Sequence, residues 1–150
     1  MADIQRSRRI AARPQKVWDV LGDFGSISSW AGNVDHSCVL FSGPGGGPVG
    51  TARRVQVGRD ALVERITEFD PPRALAYEID GLPRLLRRVT NRWTVEPGPG
   101  DSAVATLTSA VDIGPHRLQR LVERALCRYL ARQSDVMLAG LANRLEQARV

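Results

Sequence analysis

The last quarter of the chain sets the strongest limit on its fold. From Gly114-Pro115 onward, Leu118, Val122, Ala125, Leu126, Tyr129, Leu130, Val136, Met137 and Leu141 recur at steps of three and four. That is the period of one helical face. Pro115 suits a first helical position, no proline follows it, and Gly140 is the one glycine beyond it. A helix of roughly 33 residues is about 50 Å long, enough to span a small domain. A rod of that length, apolar on one side, needs a broad apolar surface to lie on, and the preceding residues must supply it.

Those residues read as strands. Asp3 to Ala11 forms a first strand, polar on one face. Pro14, Val17, Trp18, Val20 and Leu21 make a short amphipathic helix that stops at Gly22, and residues 23–30 form a second short helix or turn. Strands follow at Val34 to Phe41, Val49 to Val57, Ala61 to Phe69, Ala74 to Ile79, Leu85 to Val95 and Ala103 to Ile113. Glycine, proline and aspartate clusters separate them at a regular spacing, as in an antiparallel meander. Seven such strands twist enough to curl around a helix. The predicted fold is α+β: a seven-stranded curved antiparallel sheet gripping a long C-terminal helix, with two short helices between strands 1 and 2. It is read as a single domain over residues 1–150, and 43% hydrophobic and 25% charged residues suit an ordinary globule.

Charge narrows the partners. The net charge is +5 and Lys16 is the only lysine, so arginine carries nearly all the positive charge. Arginine favours carboxylate and phosphate, which brings in anionic ligands, membranes and nucleic acid as classes. Arg117, Arg120, Arg124, Arg128 and Arg132 fall within an arc of about 120° on the terminal helix, opposite its apolar face. The plain reading is a solvated outer face; the alternative is transient contact with an anionic membrane. Nucleic acid is not expected, because only Tyr129 could stack nearby. No apolar run is long enough to span a membrane, and Met1 to Arg6 lacks the apolar core of a signal peptide, so a cytoplasmic protein is expected. Cys38 and Cys127 are read as two buried thiols. His36 and His116 lack ligand spacing, and no metal or cofactor is expected. The loop at Gly43-Pro44-Gly45-Gly46-Gly47 is not a phosphate loop, since no Lys-Ser or Lys-Thr follows and it leads into a strand. It is read as a hairpin near a cavity entrance.

Strand parity then picks out polar residues. Leu62, Glu64 and Ile66 alternate against Val63, Arg65 and Thr67, so an inward Leu62 and Ile66 bring Glu64 inward as well. A buried carboxylate needs a partner. Arg53, on the parity of Val55 and Val57, is the chosen one. The pair is either a structural ion pair or an anchor for the polar end of a ligand. In strand six, Arg88, Thr90 and Arg92 face one way and Val89, Asn91, Trp93 and Val95 the other. Hydrophobicity turns Trp93 inward, but a slip of one residue would turn Arg88 inward instead and favour an anionic ligand. Tyr77 has the same ambiguity against Ala76 and Glu78. Trp18 reads as core, and Trp30 as core or as the border of a cavity mouth.

The order of these pieces resembles a known family. Ile10-Ala11-Ala12-Arg13-Pro14 with Val17-Trp18-Asp19-Val20-Leu21, then Trp30, then Val49-Gly50-Thr51-Ala52-Arg53 begin the likeness. Glu64-Arg65-Ile66, Asp70-Pro71-Pro72, Leu75-Ala76-Tyr77-Glu78-Ile79 and the long helix complete it. Together they resemble the START-like superfamily of helix-grip, birch-allergen-like proteins, most closely its bacterial polyketide cyclase/dehydrase and lipid-transport branch. The resemblance implies a hydrophobic cavity under the long helix that takes a lipid, a polyketide or a similar small molecule. It implies a ligand-binding set of Glu64, Arg53, Val55, Val57, Trp30, Tyr77 and Arg88 from the sheet side, with Leu126, Tyr129 and Leu130 from the helix. Gly81-Leu82-Pro83-Arg84 sits where relatives have an entrance loop. Some relatives carry ligands, and others cyclise or dehydrate polyketides, so the expectation is a carrier or ligand-binding protein with a cyclase/dehydrase as the alternative. In that alternative Glu64 or His36 is the acid/base candidate. Monomer and homodimer both stay open.

Overall fold

The computed structural model describes residues 2–82, 88–112 and 119–147. The elements run β1 (Ala2–Ile10), α1 (Pro14–Gly22), a 3-10 helix (Phe24–Ser29), β2 (His36–Phe41), β3 (Ala52–Val57), β4 (Asp60–Asp70), β5 (Ala74–Asp80), β6 (Arg88–Pro97), β7 (Ala103–Asp112) and α2 (Gln119–Gln147). All seven strands lie in one antiparallel sheet, ordered β1-β7-β6-β5-β4-β3-β2. Strands β2 to β7 form the expected meander, and β1 closes onto β7 with Ile10 opposite Ala103. The α+β helix-grip architecture is therefore the one observed, with strand boundaries shifted by a few residues. The expected starts of strand six and of the long helix lie outside the described residues.

Cross-strand rows show why the sheet has an apolar inner face. Leu75, Trp93 and Leu107 stand side by side on β5, β6 and β7, all fully buried. One step along, Tyr77, Asn91 and Ser109 form the next row, followed by Ile79, Val89 and Val111. Rows of this kind are the unit of sheet stabilisation. In β4 an irregularity between Ile66 and Glu68 shifts the register. Inward parity changes there from Glu64 and Ile66 to Phe69, whose ring meets the edge of Trp18 at 5.3 Å. The parity of strand six is settled for the hydrophobic reading. Trp93 and Asn91 are buried, whereas Arg88 and Arg92 are exposed and pair with Glu78 and Glu68 on the outer face.

The two short helices pack over one end of the inner face. In α1, with Pro14 in its first turn, Val17, Trp18 and Leu21 are buried. It lies against β6 and β7, whose inward residues Ala103 and Ala105 are small and leave it room. The 3-10 helix is tied to β2 by Ser37, whose hydroxyl donates to the Gly25 carbonyl at 2.7 Å and accepts from the Ser28 amide at 3.0 Å.

Helix α2 runs along β1 and β7, and its burial is uneven. Its second half seals the core through Ala131, Ser134, Met137, Leu138, Leu141, Ala142 and Leu145. The apolar face expected from periodicity is rotated relative to this one: Ala125, Tyr129 and Val136 are exposed. Leu121, at 69% exposed, is as open as a charged residue. The side chains of Leu118 and Val122 lie outside the described set. No helix among the described residues is long and apolar enough to cross a membrane. The two cysteines are free, but they are not the buried thiols expected: Cys38 is exposed on the outward parity of the edge strand β2, and Cys127 is half-buried.

At Gly140, α2 lies directly against the backbone of Trp30 and Gly32. A methyl group there would collide with the Trp30 carbonyl and press on the Gly32 amide. Helix propensity favours alanine over glycine by about 1 kcal/mol, but crowding a packed contact costs about 1–3 kcal/mol or more. Gly140→Ala is expected to lower the unfolding free energy by about 1–3 kcal/mol in urea denaturation. An unchanged or raised midpoint would contradict this close contact.

Candidate ligand cavity

The inner face carries one buried ion pair among the described residues, and its partners are those strand parity selects. Arg53 on β3 stands directly opposite Glu64 on β4. Arg53 Nε donates to Glu64 Oε1 at 2.7 Å, and its Nη2 lies 2.6 Å from the same oxygen. Nη1 donates to the Phe24 carbonyl at 2.7 Å. The guanidinium carbon sits 3.7 Å from the centre of the Phe24 ring and 4.7 Å from that of Tyr77. Both charged residues are buried, Arg53 to 2% and Glu64 to 6% exposure. Burial at this depth is tolerable because the charges are paired, hydrogen-bonded and stacked on aromatic faces.

Around the pair runs a polar network. Ser109 Oγ donates to Asn91 Oδ1 at 2.6 Å, and Tyr77 Oη accepts from Asn91 Nδ2 at 3.4 Å and from Trp93 Nε1 at 3.3 Å. Burial raises the pKa of the Tyr77 phenol above its ordinary value, and the nearby Glu64 charge adds to this; Arg53 and the two hydrogen bonds oppose it. Tyr77 is thus a neutral member of the network at physiological pH.

A cavity of about 100 Å³ opens beside Glu64, between the sheet and α2. Its sheet wall includes Val55, Val57, Leu62, Glu64, Ile79, Val89, Asn91, Leu107 and Ser109. Ile27, Val34 and Asn33 close one side, and Tyr129, Leu130, Gln133, Ser134 and Met137 come from α2. Tyr129, 53% exposed, lies at the rim. Asn33 Nδ2 donates to Gln133 Oε1 at 2.6 Å and so ties the segment after the 3-10 helix to α2. The volume is smaller than the roughly 150 Å³ that holds one benzene ring in an apolar interior.

The residues named from sequence divide into groups. Glu64, Val55, Val57, Tyr129 and Leu130 line the cavity. Arg53 and Tyr77 lie behind Glu64 as its support and do not form the wall. Trp30 is core, packed edge-on against Trp93 at 5.7 Å, and does not border the mouth. Leu126 packs beside the wall against the buried pair Val89 and Val111. Arg88 is outside, on the opposite face of the sheet from the cavity, because its parity is that of Arg92 and not of Trp93. His36 is exposed on edge strand β2, opposite Gln56, and its outward parity separates it from Glu64. The hairpin at Gly43 to Gly47 folds onto Thr51, whose hydroxyl donates to the Gly47 carbonyl at 3.1 Å, and is not part of the wall. Of the expected entrance loop, Leu82 lines the cavity, while Pro83 and Arg84 lie outside the described residues. Sequence reasoning missed Asn91 and Ser109 as wall residues. Both share parity with plainly inward neighbours, Trp93 and Leu107, and that signal was available.

A curved antiparallel sheet gripping a long helix, with two short helices between its first two strands, is a START-like fold. The chain belongs to the family described as polyketide cyclase/dehydrase and lipid transport, whose model matches residues 1–146. Solved structures of similar fold include a protein from Thermobifida fusca, with 26% identity, 98% of this chain and 95% of that chain covered, and a TM-score of 0.80. The Zhui aromatase/cyclase from Streptomyces sp. R1128 has 16% identity, coverages of 99% and 96%, and a TM-score of 0.81. A START superfamily protein from Mycobacterium smegmatis has 14% identity, coverages of 97% and 98%, and a TM-score of 0.76. No protein of curated function matches significantly.

Removing one partner of a buried ion pair leaves an uncompensated charge. Arg53→Met, which keeps the apolar stem, is expected to cost about 3–5 kcal/mol in denaturant unfolding at neutral pH. A loss under about 1 kcal/mol would show that Glu64 is hydrated without Arg53.

Proposed function

We propose that this protein binds an apolar or amphipathic small molecule between its sheet and α2, with Glu64 receiving the polar end. The observation that supports this most directly is the state of the Glu64 carboxylate. Oε1 takes both contacts from Arg53, while Oε2 accepts no hydrogen bond from the described residues and belongs to a cavity-lining side chain. Oε2 is not among the buried atoms enclosed without a partner, so it is open to the cavity and free to meet the polar end of a guest. Val55, Val57, Leu107 and Leu130 give the rest of the guest apolar contact. A guest of one ring or more exceeds this space and has to extend past the rim at Tyr129 or displace Leu130 and Met137. Family membership supports a ligand-binding or cyclase role.

A cyclase or dehydrase is the second reading, favoured by the same unbonded oxygen, which is placed to accept a proton. His36 does not serve it. Turnover of a poly-β-ketone that Glu64→Gln abolishes would shift the reading from carrier to enzyme. Native mass spectrometry of protein purified from its own host is expected to show a co-purified small molecule. That adduct is expected to be absent from Leu130→Trp, which fills the cavity from the less buried side. An adduct that survives the filling would place the ligand elsewhere.

Contact with an anionic membrane is proposed as an accessory to loading. On the exposed side of α2, Arg124, Arg128 and Arg132 form one row at four-residue steps, beside a second row of Leu121, Ala125 and Tyr129. None of the three arginines has an ion-pair partner among the described residues. Exposed apolar side chains flanked by free arginines suit an anionic lipid surface, and Tyr129 joins that surface to the cavity rim. Phosphatidylglycerol vesicles are expected to bind the protein at low salt, and Arg124→Glu with Arg128→Glu to reduce binding about tenfold or more. Equal binding by the doubly reversed variant would remove this contact.

A further inference from the structure

The cavity's polar chemistry is one-sided, and that limits what can enter it. We infer that the cavity selects a neutral ligand whose polar end is a hydroxyl, phenolic, enolic or alcoholic, donating its hydrogen to Glu64 Oε2. The inference rests on the ligand-cavity reading above and narrows it to a chemical class.

The first support is the disposition of Arg53. An arginine inside a ligand cavity ordinarily invites a carboxylate or phosphate. Here Nε and Nη2 meet Glu64 Oε1, Nη1 meets the Phe24 carbonyl, and the guanidinium plane packs against the Phe24 ring. Arg53 is not part of the wall; Glu64 stands between it and the space. The positive charge is already spent inside the protein.

The second support is the remaining wall. Among the described residues that line the cavity, Glu64 is the only one with a charge; its polar neighbours Asn33, Asn91, Ser109, Gln133 and Ser134 are neutral. An anionic headgroup placed beside Glu64 would meet a like charge with no facing cation, in surroundings where charges are weakly screened. The third support is the count of open hydrogen-bonding positions. Glu64 Oε2 accepts nothing from the described residues, and Asn33 Oδ1 is buried without a partner; Trp30 Nε1, the one buried donor without a partner among the described residues, is not on the cavity wall. The two open positions on the wall are acceptors, so the group that fits them is a donor. A carbonyl or ether oxygen in the same place would leave Oε2 unpaired, and its burial by the guest would cost affinity.

Three probes of one shape separate the cases: 2-naphthol, a neutral donor; 2-methoxynaphthalene, neutral without a donor; and 2-naphthoate, an anion. Calorimetric titration of the intact protein at pH 7 is expected to rank 2-naphthol first, by about tenfold or more over each of the others. In Glu64→Gln the preference for 2-naphthol over 2-naphthoate is expected to shrink several-fold, because the like charge is gone. Binding of 2-naphthoate as tight as that of 2-naphthol by the unaltered protein would overturn the inference while leaving the ligand-cavity reading intact. Equal binding of 2-methoxynaphthalene and 2-naphthol would do the same. Saturable binding of none of the three would overturn the ligand-cavity reading, and this inference with it. The ranking in the unaltered protein does not depend on how well Glu64→Gln folds.

Discussion

A charge cannot be buried alone, and the inner half of this protein is arranged around that rule. Arg53 and Glu64 face each other across β3 and β4 at 2% and 6% exposure, where either one unpaired would cost several kcal/mol. Their pairing fixes the inward parity of both strands, since a slip of one residue would carry both charges to the outer face. It also fixes the 3-10 helix, whose Phe24 gives its carbonyl to Arg53 and its ring to the guanidinium face. Ser37 then anchors that helix to β2. Local strand geometry, the docking of a short helix and the polar floor of the cavity therefore depend on one interaction.

The cavity exists because the inner face is filled unevenly. At one end the inward residues of β7 are Ala103 and Ala105, and α1 fills the room they leave. In the middle Leu75, Trp93 and Leu107 close the core under Trp30. Toward the other end the inward residue is Ser109, and the described residues leave a space above it. The long helix follows the same gradient. Its second half comes close enough that Gly140 allows no side chain, while its first half keeps Leu121 and Tyr129 largely in solvent. Close packing at one end and loose cover at the other is what a protein needs if it is to be stable and still admit a guest.

Much of this could be read from residue order. Turn signals at regular spacing give the seven strands, and alternation in strand four turns Glu64 to the same face as Arg53, the residue it stands opposite. Three-and-four periodicity gave the existence of α2 but misplaced its buried face, putting Ala125, Tyr129 and Val136 inward. Periodicity assumes that apolar residues are covered, whereas Leu121, Ala125 and Tyr129 in the first half of α2 are exposed. Arg88 and His36 failed for a related reason. Their types are common in functional sites, but side-chain direction in a strand is set by parity, and theirs is outward. The cavity size was not legible at all, because it depends on how Leu130, Met137 and Ser134 fill the gap that strand parity only outlines.

The packing role of the Arg53–Glu64 pair and its proposed role in ligand recognition can be separated by replacing both partners at once. Arg53→Met combined with Glu64→Leu puts apolar groups of similar volume in place of the pair, a change that is often neutral or stabilising in a buried site. Measured together, unfolding free energy and probe binding in this double variant should part company. Stability is expected within about 1 kcal/mol of the parent or above it, with apolar probes still bound and the preference for a hydroxyl over a methoxy group gone. A double variant that keeps that preference would show that Glu64 does not read the ligand. One that fails to fold would show that the charges themselves, and not the volume they fill, hold the sheet together.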